Sequence, residues 1–331
     1  MQTPNAAGWP DEVRPVFNSA VTCEWATMSK SGTPITWPVT PYLGADGRTI
    51  DVSTGLTYPA KADRARRDPR VALLFSDPLG SGLTNPPVVL VQGLATVRDR
   101  DLQAGADRYI RLGMAKLPAS YKGQPRFLLR RQAWYFTRIW VLVTPLRILW
   151  WPGGNLDAAP QRWDAPAGTS APPSDPPPQG PSPGAWQAPA PEWRTRAARA
   201  VELGAPVLTV AGADGYPLPC RMRGAGLRDT GFALQVPRGM PEPAEGPGCL
   251  TFHTHAEQFA GQENIVFVGR VHGSGAEAQF EVDRLLPDFS LPGGKLQVTL
   301  AFMRAARQLT PRLKQEAARR GQPVPEVRLP T

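Results

Sequence analysis

Apolar and polar positions alternate over the first 150 residues in short runs separated by turn residues, which predicts strands joined by tight turns. Residues 21–28 form the first candidate strand, with a turn at 29–32 and a return strand over 34–42. Ala45-Asp46-Gly47 predicts a hairpin, because Asp-Gly supplies the positive-φ positions such turns need. A third strand follows at 49–53. Pro59 suits the first turn of a helix, which Asp68-Pro69 ends, since a residue before proline avoids helical angles. Residues 71–75 and 88–97 read as buried strands, the second with Gly93 inside it. The period then changes. Leu102, Ala106, Tyr109, Ile110 and Leu112 recur at helical spacing, so 101–115 is an amphipathic helix, and 139–150 returns to strand.

The same pattern starts again downstream. Residues 26–55 and 209–238 align without a gap at an offset of 183, Gly32-Thr-Pro34 answering Gly215-Tyr-Pro217. Strands are predicted at 207–211, 216–223, 231–236, 250–255, 265–272 and 279–285. Leu296, Leu300 and Met303 mark a final helix, interrupted near Pro311. About six short strands per copy, with few helices, argue for a small closed or half-closed barrel. Between the copies, 164–191 is dominated by Pro, Ala, Ser and Gly, a composition that favours an extended, semi-stiff chain over a packed one. The expected units are therefore 15–151, a linker at 152–192, and 193–320 with its C-terminal helix.

Composition narrows the function. The chain has 331 residues and a net charge of +9, with its densest short basic cluster at Lys61 to Arg70. A general nucleic-acid surface would want a longer stripe and a recognisable module, so a bound phosphate or acidic cofactor is the better expectation. Three dispersed cysteines, Cys23, Cys220 and Cys249, suggest a reducing compartment without disulfides. No export signal is visible at the N-terminus, and the most apolar stretch, 139–151, is broken by Pro145 and Arg147. A cytoplasmic protein with no membrane and no nucleic-acid partner is expected.

The chemistry concentrates in Asp51-Val-Ser53-Thr54-Gly55, Lys61 and Arg67-Asp68-Pro69-Arg70. Ser53 and Thr54 end a strand, and the helix that follows offers free N–H groups and a positive dipole end, with Lys61 in its first turn. Hydroxyls, a helix start and a lysine suit a phosphate monoester; a strand end beside a solvated basic helix face would give the same residues. The second copy has Pro241 to Gly248 at this place, without a Lys or Arg.

Gly32-x-Pro34-x-x-x-Pro38-Val39, Asp46-Gly47, Ser53-Thr54-Gly55, Lys61 and Arg67-Asp68-Pro69-Arg70-Val71 together resemble the pyridoxamine 5′-phosphate oxidase-like, flavin-binding split-barrel superfamily. The resemblance covers about residues 20–100. It implies a mainly β fold with peripheral helices: two split β-barrels in tandem, six-stranded and Greek-key-like, the second degenerate. It implies FMN as cofactor, with the deazaflavin coenzyme F-420 as alternative. Trp37, Pro38, Val39 and Thr40 would then offer backbone groups to the ring, while Ser53, Thr54, Lys61 and Arg67 would meet the phosphate. The implied activity is a flavin-dependent oxidoreductase acting on a small molecule, with NAD(P)H as a candidate reductant. The alternatives are a non-catalytic flavin or haem carrier and a deazaflavin-dependent reductase. Family members place the site between two barrels of a homodimer, so a tandem chain could form that pair internally, with homodimerisation as a further option. Ile35 to Thr40 lacks the basic residue of the oxidase proper, and Pro59 replaces its serine, which argues against vitamin B6 as substrate.

Two further features stand apart from this cluster. His253 and His255 share one strand face, yet no third metal ligand stands at usable spacing. Trp134, Trp140, Trp150 and Trp151 read as packing residues, with Trp37 or Trp150 as the candidate for stacking on a flavin. No catalytic residue is identified.

Overall fold

The computed structural model describes residues 7–122, 124–183, 192–241, 243–257, 261–273, 275–287, 289–290 and 295–330. The first half carries strands β1 (Cys23–Met28), β2 (Pro34–Val39), β3 (Tyr42–Leu43), β4 (Ile50–Gly55), β5 (Arg70–Phe75), β6 (Val88–Arg98), β7 (Arg138–Trp151) and β8 (Gln161–Asp164). Its helices are α1 (Arg14–Ser19), α2 (Ala60–Arg67), α3 (Leu102–Lys116), α4 (Pro118–Tyr121), α5 (Arg126–Arg130) and α6 (Ala133–Phe136). The second half has helix α7 (Arg194–Glu202) and strands β9 (Val207–Ala211), β10 (Pro217–Arg221), β11 (Gly224–Arg228) and β12 (Gly231–Gln235). It continues with β13 (Gly246–Thr254), β14 (Glu263–His272), β15 (Glu277–Leu285), β16 (Phe289–Ser290) and helix α8 (Lys295–Arg319).

The fold is mainly β with peripheral helices, as expected. One antiparallel sheet runs β2-β1-β5-β6-β7-β4-β3, the other β10-β9-β13-β14-β15-β12-β11, so the two follow one path strand for strand. Each path has seven strands rather than six, because the two-residue β3 and its counterpart β11 are too short or too polar to show as alternation. Gly32 and Gly215 sit at the same hairpin with φ of 77° and 78°, a backbone region that disfavours any side chain. A bulge falls between Gln92 and Gly93 and again between Val268 and Gly269. Glycine stands at both because a Cβ there would run into a carbonyl across the ladder, that of Thr144 or Glu281.

The sheets face each other with exchanged roles. β2 packs on β9 and β13, while β10 packs on β1 and β5, the pattern of a two-fold interface formed within one chain. The Thr36 and Thr209 hydroxyls lie 2.7 Å apart in this seam, and Thr251 donates to the Thr36 carbonyl. Glu24, wholly buried, accepts from Arg221 of the other sheet at 2.7 Å, and His253 stands at the same distance.

Two segments differ from expectation. Helix α8 continues through Pro311 instead of breaking there. Leu309, Leu313 and Ala317 are buried in the core of the first barrel, and this packing outweighs the backbone hydrogen bond that proline cannot make. The Pro-rich stretch is extended, yet tied down. β5 begins at Arg70, opposite Leu94, which leaves the following residues of β6 an open side. There the Thr96 hydroxyl donates to the Pro172 carbonyl, and the Asp175 carboxylate accepts from the Asp99 and Arg100 amides.

Candidate functional site

β4 ends at Gly55, and a tight turn leads into α2: Tyr58 N–H donates to the Gly55 carbonyl, and the Thr54 hydroxyl donates to the Tyr58 carbonyl. Pro59 caps the helix without a side-chain bond, and Lys61 stands in its first turn. The Lys61 ammonium lies 5.1 Å from the centroid of the Trp37 ring and makes no hydrogen bond or ion pair with the described residues. Burial, helped by the nearby Arg64 and Arg138 guanidinium groups, pushes its pKa down to about 7. Arg64 donates to the Thr27 hydroxyl at 2.8 Å and is itself pushed down to about 10, chiefly by burial.

Arg138 was not foreseen. It opens β7, paired opposite Gly55. Its guanidinium lies against Tyr109 and Tyr135, 4.1 and 4.6 Å from their ring centroids, and donates to the Tyr109 hydroxyl at 3.0 Å. Its Nε is buried with no hydrogen-bond partner. The cross-strand pairs Gly55–Arg138 and Ser53–Trp140 put Ser53 on the same sheet face as Arg138. Three cations thus crowd one corner, and none of the three forms an ion pair with a described residue.

The expected residues divide. Trp37 is half-buried under Lys61, and Ser53 is half-buried with no side-chain bond to the described residues. Thr54 spends its hydroxyl on the turn. Arg67 donates to the Met28 carbonyl at 3.0 Å, where it closes the end of β1. Its neighbours are likewise engaged: Arg66 with Asp99 at 2.7 Å and Arg70 with Asp68 at 2.8 Å. β2 is an edge strand, and its Thr36 carbonyl turns outward to Thr251. By alternation the Pro38 carbonyl and the backbone of Thr40 face the same way, whereas those of Trp37 and Val39 turn into the ladder with β1. Opposite β2, Ile35 packs with Cys249, Val266, Val268 and Leu286 of the second barrel, which walls this side.

The remaining candidates are structural. Trp150 is buried in the first core with its Nε1–H on Glu12 at 2.7 Å, so Trp37 alone of the stacking candidates stands at the corner. His253 pairs with Glu24, and His255 lies 3.4 Å from Asp77. No group of three or more metal-binding side chains occurs among the described residues. Burial pushes the Cys220 and Cys249 thiols up to about 12 and 11, far from a reactive thiolate.

No family model and no curated protein matches the chain. Among solved structures it is similar to pyridoxamine 5′-phosphate oxidase-like, FMN-binding proteins. One is a putative pyridoxamine 5′-phosphate oxidase from Listeria innocua, at 17% identity over 42% of this chain and 94% of that one, with a TM-score of 0.29. Another is a pyridoxamine 5′-phosphate oxidase-related, FMN-binding protein from Nostoc punctiforme, at 15% identity over 43% and 80%, TM-score 0.29. A third is an F-420 reductase, at 19% identity over 42% and 98%, TM-score 0.32. Each covers less than half of this chain.

Proposed function

We propose that the chain is a flavin-dependent oxidoreductase that holds one FMN per molecule at the β4–α2 corner of its first barrel, with the second barrel as the facing wall. The observation that carries this reading is the desolvated Lys61, 5.1 Å from the Trp37 ring centroid and beside Arg64 and Arg138, none of the three forming an ion pair with a described residue. Clustered, poorly hydrated cations are costly unless an anion joins them, and a phosphate monoester supplies the charge and acceptors they lack. The residues fit that group: Lys61, Ser53 and Arg138 would hold the phosphate, with the dipole end of α2. Trp37 and the outward backbone of Pro38 and Thr40 would meet the ring. Thr54 and Arg67 shape the corner from behind.

When bound, a flavin supplies hydride acceptance and donation. The protein's part is to anchor the phosphate, seat the ring on edge strand β2, and keep water from it with the apolar wall of Ile35, Val266 and Leu286. Such a task needs no acid–base pair. The duplicated strand path supports reading 15–151 and 193–320 as tandem copies of one split barrel, joined by 152–192, that build the site internally. A small-molecule substrate and NAD(P)H as reductant belong to this reading. The deazaflavin F-420, with its longer anionic tail, is the second choice; Arg66 and Arg70, which could have served that tail, are already bound to carboxylates.

The visible spectrum of the purified protein tests the proposal. Flavin bands, or saturable quenching of added FMN fluorescence that is lost in Lys61→Ala, are expected. A colourless protein that binds neither FMN nor F-420 overturns it, and flavin that stays oxidised with NADPH and with other reductants leaves only a carrier.

A further inference from the structure

A longer window along the sequence reveals an asymmetry larger than the cluster at Lys61. Residues 108–156 contain nine Lys and Arg and no Asp or Glu. Removing those nine from the 37 basic residues leaves 28, equal to the 28 acidic ones, so the whole net charge of +9 resides in this one segment.

The fold uses four of the nine internally. Arg108 pairs with Asp51, Arg147 with Asp214, Arg138 lies against its tyrosines, and Lys116 donates to the Pro41 carbonyl. The other five, Arg111, Lys122, Arg126, Arg130 and Arg131, are exposed, and none makes an ion pair with a described residue. Four of them surround α5, whose tip presents Phe127 at 61% and Leu128 at 36% exposure. Phe127 is the most exposed large apolar side chain among the described residues. Beside the tip lies a groove of about 380 Å³, with Met114, Tyr121, Leu129 and Leu329 along it and Lys122 and Arg126 among its lining residues. Arg126 also donates to the Pro330 carbonyl, which fixes that edge of the groove.

An apolar tip inside a cationic collar asks for a partner that is anionic at its surface and apolar beneath. An anionic bilayer has both layers in that order: headgroups for the collar, acyl chains for Phe127 and Leu128. An acidic protein would need a pocket matched to a two-residue tip, and duplex nucleic acid offers the charge without an apolar layer. We propose that α5 and its basic surround form a peripheral docking surface for membranes rich in anionic phospholipid. This goes beyond the expectation of no membrane partner, which rested on the lack of a spanning segment. No helix among the described residues is long and apolar enough to cross a membrane, and surface docking requires none.

Sedimentation of the full chain with vesicles tests this. The protein should pellet with phosphatidylcholine mixed with phosphatidylglycerol and stay in solution with phosphatidylcholine alone, and salt should weaken the binding. The double variant Arg130→Gln with Arg131→Gln should lose roughly 25-fold in partitioning, at about fivefold per cation. Phe127→Ser with Leu128→Ser should keep the salt-sensitive attraction and lose the part that survives high salt. All four side chains are exposed, so unchanged unfolding midpoints are expected and serve as the control. Equal partitioning to both vesicles, no partitioning, or variants that bind like the parent would overturn the proposal. So would tight binding to a polynucleotide or an acidic polypeptide without binding to vesicles.

Discussion

The two barrels share one strand path, one hairpin glycine and one bulge, yet they part at two places: between β6 and β7, where the first carries α3 to α6 and the second passes from His272 of β14 to Glu277 of β15, and at the corner after β4. At that corner the offset between them measures the difference. Ala26 faces Ala72 across β1 and β5, and its counterpart Thr209 faces Cys249 across β9 and β13. The first strands are 183 residues apart and the partners 249 less 72, or 177, so the second barrel is six residues shorter where the first has α2. There the second barrel is packed shut. Trp151 donates its Nε1–H to the Gly239 carbonyl at 3.0 Å, and Gly239 N–H donates to the Leu156 carbonyl at 2.8 Å. Trp151, Leu74 and Leu90 of the first barrel join Cys220, Met222 and Met240 of the second in one apolar cluster. The barrel therefore closes well without α2 and its cations. In the first barrel α2 buries Ala62 and Ala65 in the core and sets Lys61 and Arg64 at the corner, cations that the second barrel does not place there.

The comparison breaks most visibly if the second corner is opened or the seam loosened. Trp151→Ala should cost about 3–5 kcal/mol in chemical denaturation, the range for emptying a buried aromatic site; a near-neutral result would mean the second corner is a cavity in disguise. Glu24→Leu should cost a similar 3–5 kcal/mol, because it leaves Arg221 buried without its counter-charge. Burial works to raise the Glu24 carboxyl, but Arg221 and His253 hold it below the ordinary value. Its contribution is thus present above the usual carboxylate range and lost as pH falls through the folded value. Acid melts of parent and variant should converge.

At the first corner the signs reverse. The Lys61 pKa falls from 10.5 to about 7 on folding, so between those values the unfolded chain binds more protons and stability rises with pH. Ligand-free Lys61→Met should be more stable than the parent below pH 7, on the order of 3 kcal/mol after allowance for its remaining access to water. The gain should fade toward pH 10.5. FMN affinity should fall as pH rises through about 7 in the parent and be flat in the variant. Lys61→Ala should weaken FMN binding by about 1–3 kcal/mol, the scale of a lost charge-assisted hydrogen bond. Smallest is Arg67→Ala: FMN affinity should stay within about twofold, with about 1 kcal/mol of stability lost at the Met28 carbonyl. If Arg67→Ala matched Lys61→Ala in the titration, the division of the basic run drawn above would be wrong.

Local rules made much of this legible in advance. Alternation located the strands, Asp46-Gly47 and Gly32 marked hairpins, helical spacing gave α3, and Pro59 and Asp68-Pro69 bracketed α2 to within a residue. The pattern shared at an offset of 183 residues accords with the common strand order of the two sheets. Lys61 was chosen from its place in the first turn of that helix. The excess of charge over 108–156 was countable too, and escaped only because short windows favour dense clusters over long one-signed stretches.

What the chain order could not disclose depends on contacts between distant segments. Arg138 reaches the corner because β4 pairs with β7, more than eighty residues on, and no local motif marks that register. Arg67 resembles Lys61 in sequence but points at a carbonyl, and Thr54 resembles Ser53 but closes a turn. The Pro-rich segment and α8 look like a loose tether and a broken helix until the first barrel supplies the open strand side and apolar surface they cover. Sequence determines periodicity, turn geometry and charge, because these arise from neighbours along the backbone. Only the assembled sheets decide which cation is desolvated and which is paired, because the dielectric around a side chain is set by whatever the fold packs against it.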